Sequence, residues 1–337
     1  MRPSEIDGLA VGSFSLEPDR AIDLAWKLGL EISFLMEDDH GGAASLNMIA
    51  HAARAVEAGD ASAVLVVAGD HLSRGDFTKL IERFNAATSD YLAPLGYGGP
   101  NTLFAMLTKR HMSEHDLDRK DYGTLVVTQR AWAAGNPAAA YRTPLTLNEY
   151  LEAPLVADPL CLFDCPPVVA GANAVVIAPA ERVRSPIQIR AVRGLHNPDH
   201  QEGDGLSTGL ARIAPELWNE VGFGPDEVDV ASIYDDYPAM VLVQLADLGF
   251  APGGDIKRLV HDRIARRELP LNTSGGQLSA GQAGVAGGMH GVVEMVRQLR
   301  GKARGRQVER AGMALVTGYG MVTYRYGACA NAMVLQR

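Results

Sequence analysis

The sequence has little cysteine, no excess of positive charge and no long apolar run. Three cysteines, Cys161, Cys165 and Cys329, occur in 337 residues, and an odd, sparse count is typical of reduced thiols in the cytoplasm. Cys161 and Cys165 are four residues apart with no second pair, so a zinc site is not predicted. The net charge of −9 argues against a nucleic-acid-binding protein, which needs a basic face. No run of roughly 18 apolar residues predicts a membrane span, and no signal peptide opens the chain.

The glycine motifs that bind nucleotide cofactors are also missing. Gly276 and Gly281 have the spacing of a P-loop, but Gln282 stands where that loop needs lysine and Ala283 where it needs Ser or Thr. No Gly-x-Gly-x-x-Gly motif opens a βαβ unit, so a dinucleotide is not predicted either. We therefore expect no nucleotide cofactor on this chain.

What the chain does contain is an alternation of helix and strand patterns. Apolar residues at helical spacing predict a helix over 46–58, capped by Ser45 and closed by Gly59. Near-continuous apolar runs at 61–69 and 171–180 predict strands that are buried on both faces, as in a parallel sheet covered by helices. The pattern is typical of an α/β protein.

The same patterns predict two halves with an insertion in the first. A helix is expected over 122–136, whereas 71–121 and 136–163 are rich in Pro, Gly and aromatic residues and predict an irregular lobe. A new strand is expected over 185–195, after a charged linker. We therefore divide the chain into residues 1–182, including a loop lobe at about 71–163, and residues 183–337.

The two halves repeat each other. "PSEIDGLAVGS" (3–13) matches "PDEVDVASIYD" (225–235), and in both Pro-x-Glu-(Ile/Val)-Asp precedes an apolar strand. A Gly-Gly turn also leads into a helix at 41–59 and again at 275–301, and a strand follows each helix. Two repeats in the same order predict a duplicated α/β unit.

Four segments make the chain resemble the thiolase superfamily, most of all its sterol-carrier-protein-type branch. They are "GGAASLNMIAHAARAVEAGDA" (41–61), "DCPPVVAGANAVVIA" (164–178), "YDDYPAMVLVQLADLGF" (234–250) and "NTSGGQLSAGQAGVAGG" (272–288). The resemblance implies a five-layered αβαβα fold of two similar halves, with a loop lobe that helps to bind coenzyme A. It also implies a dimer and a coenzyme A thioester substrate.

The resemblance also shows what this chain has lost. Gly42 stands at the position of the family's acylated cysteine, and Gly318 at that of its second cysteine. Thiolases need a thiolate because it can accept and release an acyl group. Cys329 lies eleven residues beyond Gly318 and is predicted to be a core residue of the last strand. Covalent thiolase chemistry is therefore not predicted, and Gly42 is expected to leave the space of the nucleophile open.

Hydrogen-bonding groups remain where the family stabilises the thioester oxygen. Gln282 replaces the histidine of Gly-His-Pro, and Tyr234, followed by Asp235, replaces the Asn or His of the other motif. A glutamine amide and a phenol can both donate a hydrogen bond. A base is also needed, and the residues leave four candidates: Asp235, Asp236, His40 and Tyr319. Glycines 275, 276 and 281 are predicted to let the backbone approach either a pantetheine arm or the other half of the chain.

Without a nucleophile but with oxyanion donors, such a site can form a thioester enolate. The sequence therefore predicts a non-covalent acyl-CoA aldolase that cleaves a bulky β-hydroxyacyl-CoA, such as one with a steroid side chain, by a retro-aldol reaction. Two alternatives are a catalytically silent thiolase-like subunit that binds acyl-CoA, and a Claisen-type acyltransferase that uses a partner's cysteine. The resemblance further implies a small zinc-ribbon/OB-fold partner protein, which would hold the zinc, and no cofactor on this chain.

Overall fold

Two four-stranded sheets and a small hairpin are formed within the part of the chain that the computed structural model describes, residues 2–82, 84–96, 99–198, 203–323 and 326–337. The first sheet has the order β2-β1-β3-β6, and the second has the order β7-β10-β9-β8. The strands are β1 (Gly8–Gly12), β2 (Phe34–Glu37), β3 (Val64–Asp70), β4 (Leu155–Ala157), β5 (Leu160–Cys161), β6 (Gly171–Ile177), β7 (Gln188–His196), β8 (Val230–Ser232), β9 (Met313–Thr323) and β10 (Tyr326–Gln336).

Both sheets are mixed, and each contains a parallel pair with an antiparallel strand beside it. β1 is parallel to both β2 and β3, and β6 is antiparallel to β3. In the second sheet β8 is parallel to β9, and β10 is antiparallel to both β9 and β7. The predicted boundary between residues 182 and 183 lies in the connection from β6 to β7.

Helices form the other layers. The α-helices are α1 (Arg20–Leu28), α2 (Ala44–Ala58), α3 (Arg74–Glu82), α4 (Pro100–Glu114), α5 (Arg119–Ala133), α6 (Leu147–Glu152), α7 (Leu210–Val221), α8 (Pro238–Asp247), α9 (Ile256–Arg258), α10 (Gly276–Ala280) and α11 (Ala286–Leu299). α2 and α11 lie between the two sheets, α1 packs on the outer side of the first sheet, and α7 packs on the second. α2 and α11 are apolar on most sides because they are covered from both directions. This layering confirms the predicted thiolase-like α/β fold.

The repeated sequence motif has the same structural task in both halves. The carboxylate of Asp7 accepts hydrogen bonds of 2.8 Å from the backbone N–H groups of 62–63, where the chain approaches β3. The carboxylate of Asp229 accepts hydrogen bonds of 2.8 Å from the N–H groups of 312–313, where the chain enters β9. Each aspartate directly precedes one strand, β1 or β8, and therefore hydrogen-bonds that strand's start to the start of its parallel neighbour, β3 or β9.

The inserted segment is more regular than the sequence analysis expects. The stretch predicted to be irregular over 71–121 contains α3 and α4, and 136–163 contains α6 and the β4–β5 hairpin. α4 begins with Pro100, and a proline in the first helical position loses no helical hydrogen bond because that N–H has no partner within the helix. The prolines and glycines here lie at the ends of helices, so the expectation of irregular structure in these two stretches was wrong.

Two smaller expectations were also wrong. β6 is an edge strand with several exposed residues, not a strand buried on both faces. α2 begins at Ala44, so Ser45 lies inside the helix instead of capping it, and its buried hydroxyl has no hydrogen-bond partner within the described ranges. Gly59 does end this helix, in a left-handed conformation with φ of 82°.

Candidate functional site

A cavity of about 300 Å³ lies where both halves of the chain and the inserted segment meet. This volume is at the lower end of the range of small-molecule sites. One part of its lining is apolar and aromatic, and consists of Phe14, Phe77, Leu80, Ile81, Phe84 and Phe104. Another part carries the residues that can do chemistry: Tyr234, Asp236, Tyr237, Gln282 and Tyr319, together with Gly42 and Cys165.

The ring of Tyr234 occupies the space that a side chain at residue 42 would need. An ideal Cβ on Gly42 would overlap Cε2 and Cζ of Tyr234, far inside the 3.0 Å that real Cβ atoms respect. The expectation that Gly42 leaves the nucleophile's space open was therefore wrong, because a tyrosine fills it. Gly318 is adjacent, since its Cβ would lie 2.7 Å from the carbonyl oxygen of Gly42. The two positions at which the thiolase resemblance expects sulfur thus come together, and neither carries it.

Tyr234 is held from both sides of its backbone. Its N–H donates to Thr317 Oγ1 (2.9 Å), and its carbonyl accepts from Gln244 Nε2 (2.8 Å). The phenol oxygen accepts a hydrogen bond of 3.3 Å from Nε2 of Gln282. Burial raises the pKa of the Tyr234 phenol above its ordinary value, and the neighbouring carboxyl of Asp236 raises it further. The phenol therefore keeps its proton and can donate it in a hydrogen bond.

Gln282 reaches the cavity because the segment that carries it pairs with the chain before β6. Its N–H donates to Pro167 O (2.8 Å), and its carbonyl accepts from the N–H of Val169 (3.0 Å). Gly281, the preceding residue, has φ of 111°, and a Cβ there would lie 2.7 Å from Val169. Only glycine fits this approach. The structure thus brings Tyr234 and Gln282, the two predicted oxyanion donors, into contact.

The glycines predicted to approach either a pantetheine arm or the other half of the chain pack closely against neighbouring parts of this chain. A Cβ on Gly275 would overlap Ala133, and one on Gly276, where φ is 60°, would overlap the carboxylate of Asp235. Neither these two glycines nor Gly281 lines the cavity. Between the two uses that the sequence left open, the structure shows close packing within the chain. Contact with a pantetheine arm stays a prediction.

The two adjacent aspartates after β8 face different surroundings. Asp235 accepts hydrogen bonds from the backbone N–H groups of 277–278 (2.8 and 3.3 Å) and from Gln129 Nε2 (3.2 Å), so its carboxylate is turned towards the start of α10. It does not line the cavity, whereas Asp236 does. Burial raises the pKa of Asp235 to about 7 and that of Asp236 to about 8, the latter helped by the charge of Asp235. Of the two candidate bases, Asp235 therefore lies away from the cavity and Asp236 lies in its wall.

The polar groups of Tyr319 and His40, the remaining two predicted site residues, are hydrogen-bonded to other parts of the chain. The hydroxyl of Tyr319 accepts a hydrogen bond from the N–H of Gly327 in the adjacent strand, and its ring is fully buried although the residue lines the cavity. The ring of His40 is half-exposed, and its Nδ1 pairs with Asp38 Oδ1 at 2.6 Å. His40 does not line the cavity, and its ring centroid lies 6.4 Å from that of His196.

Cys165 lines the cavity, which the sequence analysis did not foresee. Burial, with the nearby Asp164 carboxyl, raises the pKa of its thiol to about 12, so the thiolate that would attack a thioester is scarce at neutral pH. Cys329 is buried in β10 opposite Gly320, and burial raises its pKa to about 11. It is not among the residues of the cavity wall.

Tyr237 and Asn101 are further site residues that the sequence did not reveal. The hydroxyl of Tyr237 donates to Asn101 Oδ1 (2.6 Å), and its ring stacks on Phe104 with centroids 4.1 Å apart. Both partners belong to α4, in the segment that was expected to be irregular. Through these contacts α4 packs against the part of the cavity wall that carries Tyr234 and Asp236.

Neither a metal centre nor a membrane-crossing helix is found in the described part of the chain. Its His, Cys, Asp and Glu side chains form no group of three or more that could hold a metal ion. Nor does any of its helices combine the length and the apolar character that crossing a membrane requires.

Comparison with known proteins gives consistent relatives. A family model described as "Thiolase C-terminal domain-like" matches residues 194–336. The chain is 33% identical to the 17-hydroxy-3-oxo-4-pregnene-20-carboxyl-CoA lyase of Mycobacterium tuberculosis, over 89% of this chain and 82% of that protein. It is 30% identical to the steroid side-chain-cleaving aldolase of Thermomonospora curvata, over 96% of this chain and 87% of that protein.

Solved structures agree. The structure of the Ltp2-ChsH2(DUF35) aldolase superposes with a TM-score of 0.85 and 26% identity, covering 100% of this chain and 88% of the other. A monomeric SCP2-thiolase-like protein of Mycobacterium smegmatis superposes with a TM-score of 0.74 at 18% identity, over 99% of this chain and 68% of the other, and this likeness concerns the fold alone.

Proposed function

This chain is a member of the thiolase superfamily, and we propose that within it the protein is a carbon–carbon lyase that cleaves a bulky β-hydroxyacyl-CoA without a covalent intermediate. One observation carries the proposal: the Tyr234 ring stands where a nucleophile would be, with its hydroxyl held by Gln282. The residues that would stabilise an oxyanion are present, and the residue that would be acylated is not.

The reaction follows from these groups. A base takes the proton of the substrate's β-hydroxyl, and the oxygen forms a carbonyl as the Cα–Cβ bond breaks. The electrons of that bond pass to the thioester and make an enolate. Because the phenol of Tyr234 accepts from Gln282, its own hydrogen is available to the enolate oxygen. One donor of this kind contributes a factor on the order of 10²–10³ in rate. Protonation at Cα then releases a ketone and a shortened acyl-CoA.

The substrate class is suggested by the apolar part of the cavity. Four phenylalanines, Phe14, Phe77, Phe84 and Phe104, line it together with Leu80 and Ile81. Aromatic and aliphatic walls suit a large rigid hydrocarbon, which loses little entropy when it is bound. The lyase of Mycobacterium tuberculosis and the aldolase of Thermomonospora curvata are both named for steroid substrates. A steroid with an acyl-CoA side chain is therefore our proposed substrate.

We also propose that the working assembly contains two copies of this chain and a small zinc-ribbon/OB-fold protein that carries the zinc. The aldolase that superposes with a TM-score of 0.85 is named together with a second, DUF35 component. Co-purification of tagged chain with such a protein, followed by measurement of the mass of the complex in solution, tests this proposal. A chain that stays monomeric and binds no such protein would contradict it.

The activity is tested by incubating the protein, alone and with its co-purified partner, with a steroid β-hydroxyacyl-CoA. We expect a steroid ketone and a short acyl-CoA in equal amounts by mass spectrometry, and no acyl adduct on the intact protein. Tyr234→Phe should lower kcat on the order of 10²–10³-fold and change KM little, because it removes a donor used in the transition state. Binding of the substrate without turnover would favour a silent subunit. An acyl adduct, or condensation products, would favour an acyltransferase.

A further inference from the structure

The retro-aldol step needs a base at the substrate's β-hydroxyl, and the four candidates left by the sequence differ in where the structure places them. The ring of His40 lies outside the cavity wall, paired with Asp38. The hydroxyl of Tyr319 is engaged by the N–H of Gly327. Asp235 is turned away, towards the start of α10. Only Asp236 among them presents a carboxylate to the cavity that Tyr234 and Gln282 also line.

The contacts of Asp236 leave it free to accept a proton. Oδ1 accepts a hydrogen bond of 3.0 Å from the N–H of Tyr237, and none of the described residues donates a hydrogen bond to Oδ2. The residue is only 8% exposed, and no cation is among the groups that act on it. Apart from backbone N–H groups, its own included, nothing in the described part of the chain acts on Asp236 to stabilise the charged form. A buried carboxylate without a cation is a stronger base than one in water, because its charged form is poorly solvated.

The neighbouring Asp235 makes Asp236 a stronger base. Two backbone N–H groups and Gln129 stabilise the charged form of Asp235 and fix its carboxylate. The negative charge of Asp235 then opposes ionisation of Asp236. Asp235 therefore supplies negative charge beside Asp236, and Asp236 lies in the wall of the cavity.

We infer that Asp236 is the general base of this site, and that it carries the proton from the β-hydroxyl to Cα of the enolate. This inference rests on the proposed function. The carboxylate takes the hydroxyl proton as the Cα–Cβ bond breaks. The resulting carboxylic acid gives that proton to Cα as the enolate collapses to the thioester. Atoms and charge balance without any further reactant, and the carboxylate is regenerated.

The raised pKa suits this task. A base works best when its pKa lies near the working pH, and burial together with Asp235 raises the pKa of Asp236 to about 8. The titratable groups that act on it are Asp235 and the Tyr234 phenol, whose pKa is itself raised by burial. Because the ionised form is the active one, kcat/KM should rise about tenfold per pH unit below about 8 and level off above it.

The test compares wild type, Asp236→Asn and a matched control, Asp247→Asn. Asp247 is a half-buried carboxylate at the end of α8, where it accepts hydrogen bonds from the N–H (2.6 Å) and the hydroxyl (2.7 Å) of Thr208 and lies outside the cavity. Two reactions are followed from pH 5 to pH 10. One is cleavage of the steroid β-hydroxyacyl-CoA. The other is exchange of the α-hydrogens of propionyl-CoA in D₂O, which reports enolate formation without carbon–carbon cleavage.

We expect Asp236→Asn to lose about 10²–10⁴-fold in both reactions, to lose the rise with pH, and to bind propionyl-CoA within a few-fold of wild type. Asp236→Glu should recover part of the rate and the pH dependence, and Asp247→Asn should keep the wild-type pH profile. If Asp236→Asn does not fold, Asp236→Ser replaces it. Wild-type rates or an unchanged pH profile in Asp236→Asn or Asp236→Ser would overturn the inference alone. Absence of both reactions in the wild type would overturn the proposed function and the inference with it.

Discussion

Replacing Gly42 with alanine should displace the Tyr234 ring. The new Cβ would overlap two carbons of that ring and also the carbonyl oxygen of Tyr319, all well inside 3.0 Å. The backbone of Gly42 is not in the left-handed region, so alanine suffers no dihedral strain there. A loss of stability would therefore report contact of the new Cβ with the Tyr234 ring and with the Tyr319 carbonyl, and substitutions at Tyr234 separate the two contributions.

The magnitude follows from two terms. Forcing extra volume into a well-packed site costs about 1–3 kcal/mol. Moving the ring also breaks the hydrogen bond between Gln282 and the Tyr234 hydroxyl, which is worth about 0.5–1.5 kcal/mol. We expect the free energy of unfolding to fall by roughly 2–4 kcal/mol, and Tm by roughly 4–16 °C at about 2–4 °C per kcal/mol. Turnover should also fall, by on the order of 10²–10³-fold, because the donor is misplaced.

Thermal unfolding and the cleavage assay measure both effects. Gly171→Ala is the control, since its Cβ would meet only Ala283 at an ordinary 3.5 Å. The cost of Gly42→Ala should be about 1–2 kcal/mol smaller in a Tyr234→Ala background than in wild type, and it should not vanish, because the Tyr319 carbonyl still crowds the new methyl group. In a Tyr234→Phe background the steric part of that cost should remain, since the ring carbons remain. If Gly42→Ala were as stable and as active as wild type, our placement of the ring would be refuted.

Three further predictions concern the thiol, the carboxyls and the core. Cys165→Ala should keep kcat within about threefold and yield no acyl adduct in either form by intact-protein mass spectrometry, because a thiol with a pKa of about 12 supplies little thiolate; loss of activity together with an adduct on Cys165 would contradict the non-covalent route. Burial raises the folded-state pKa of Asp236 to about 8, so the stability it contributes is present below about pH 4 and is lost as pH rises through 8; the Tm of Asp236→Asn should rise relative to wild type over that interval, and a constant difference would argue against the raised pKa. Arg306→Ala leaves Glu294, its buried ion-pair partner at 2.7 Å, without a cation, and should lower the free energy of unfolding by about 3–5 kcal/mol. Arg304→Ala, a substitution of an exposed neighbour, is the control. Equal stability of the two variants in thermal unfolding would contradict this prediction.

The sequence predicted those features that depend on local pattern. The helix after the Gly-Gly turn was recognisable because its apolar residues follow the helical period and Gly59 ends it. The repeated Pro-x-Glu-(Ile/Val)-Asp motif indicated two similar sheets. In each half its aspartate accepts a hydrogen bond from the backbone where the chain approaches a parallel neighbouring strand. Motif positions also brought Tyr234 and Gln282 together. Each of these predictions depends only on residues close in sequence or on the comparison of a motif with a family.

What the sequence could not predict depends on contacts between distant segments. Asp235 and Asp236 are chemically identical, and β8 ends at Ser232, so the strand alternation that would assign them to opposite faces no longer holds. The start of α10 decides the matter by binding the first carboxylate. Asn101 reaches the cavity because α4 packs there, and composition alone concealed that helix.

Gly42 and Tyr234 are far apart in the chain, yet neither residue makes sense without the other. A cysteine at 42 would collide with the ring, and a small residue at 234 would leave a hole beside the glycine. Loss of the nucleophile and gain of the phenol are therefore one structural change. A silent subunit could have filled the same space with phenylalanine. Instead the chain buries a hydroxyl, which is costly unless it is hydrogen-bonded, holds it with Gln282, and sets a carboxylate of raised pKa in the wall of the same cavity. Packing alone does not account for a buried phenol and a buried carboxylate in the wall of one cavity. Stabilisation and protonation of an enolate require both groups.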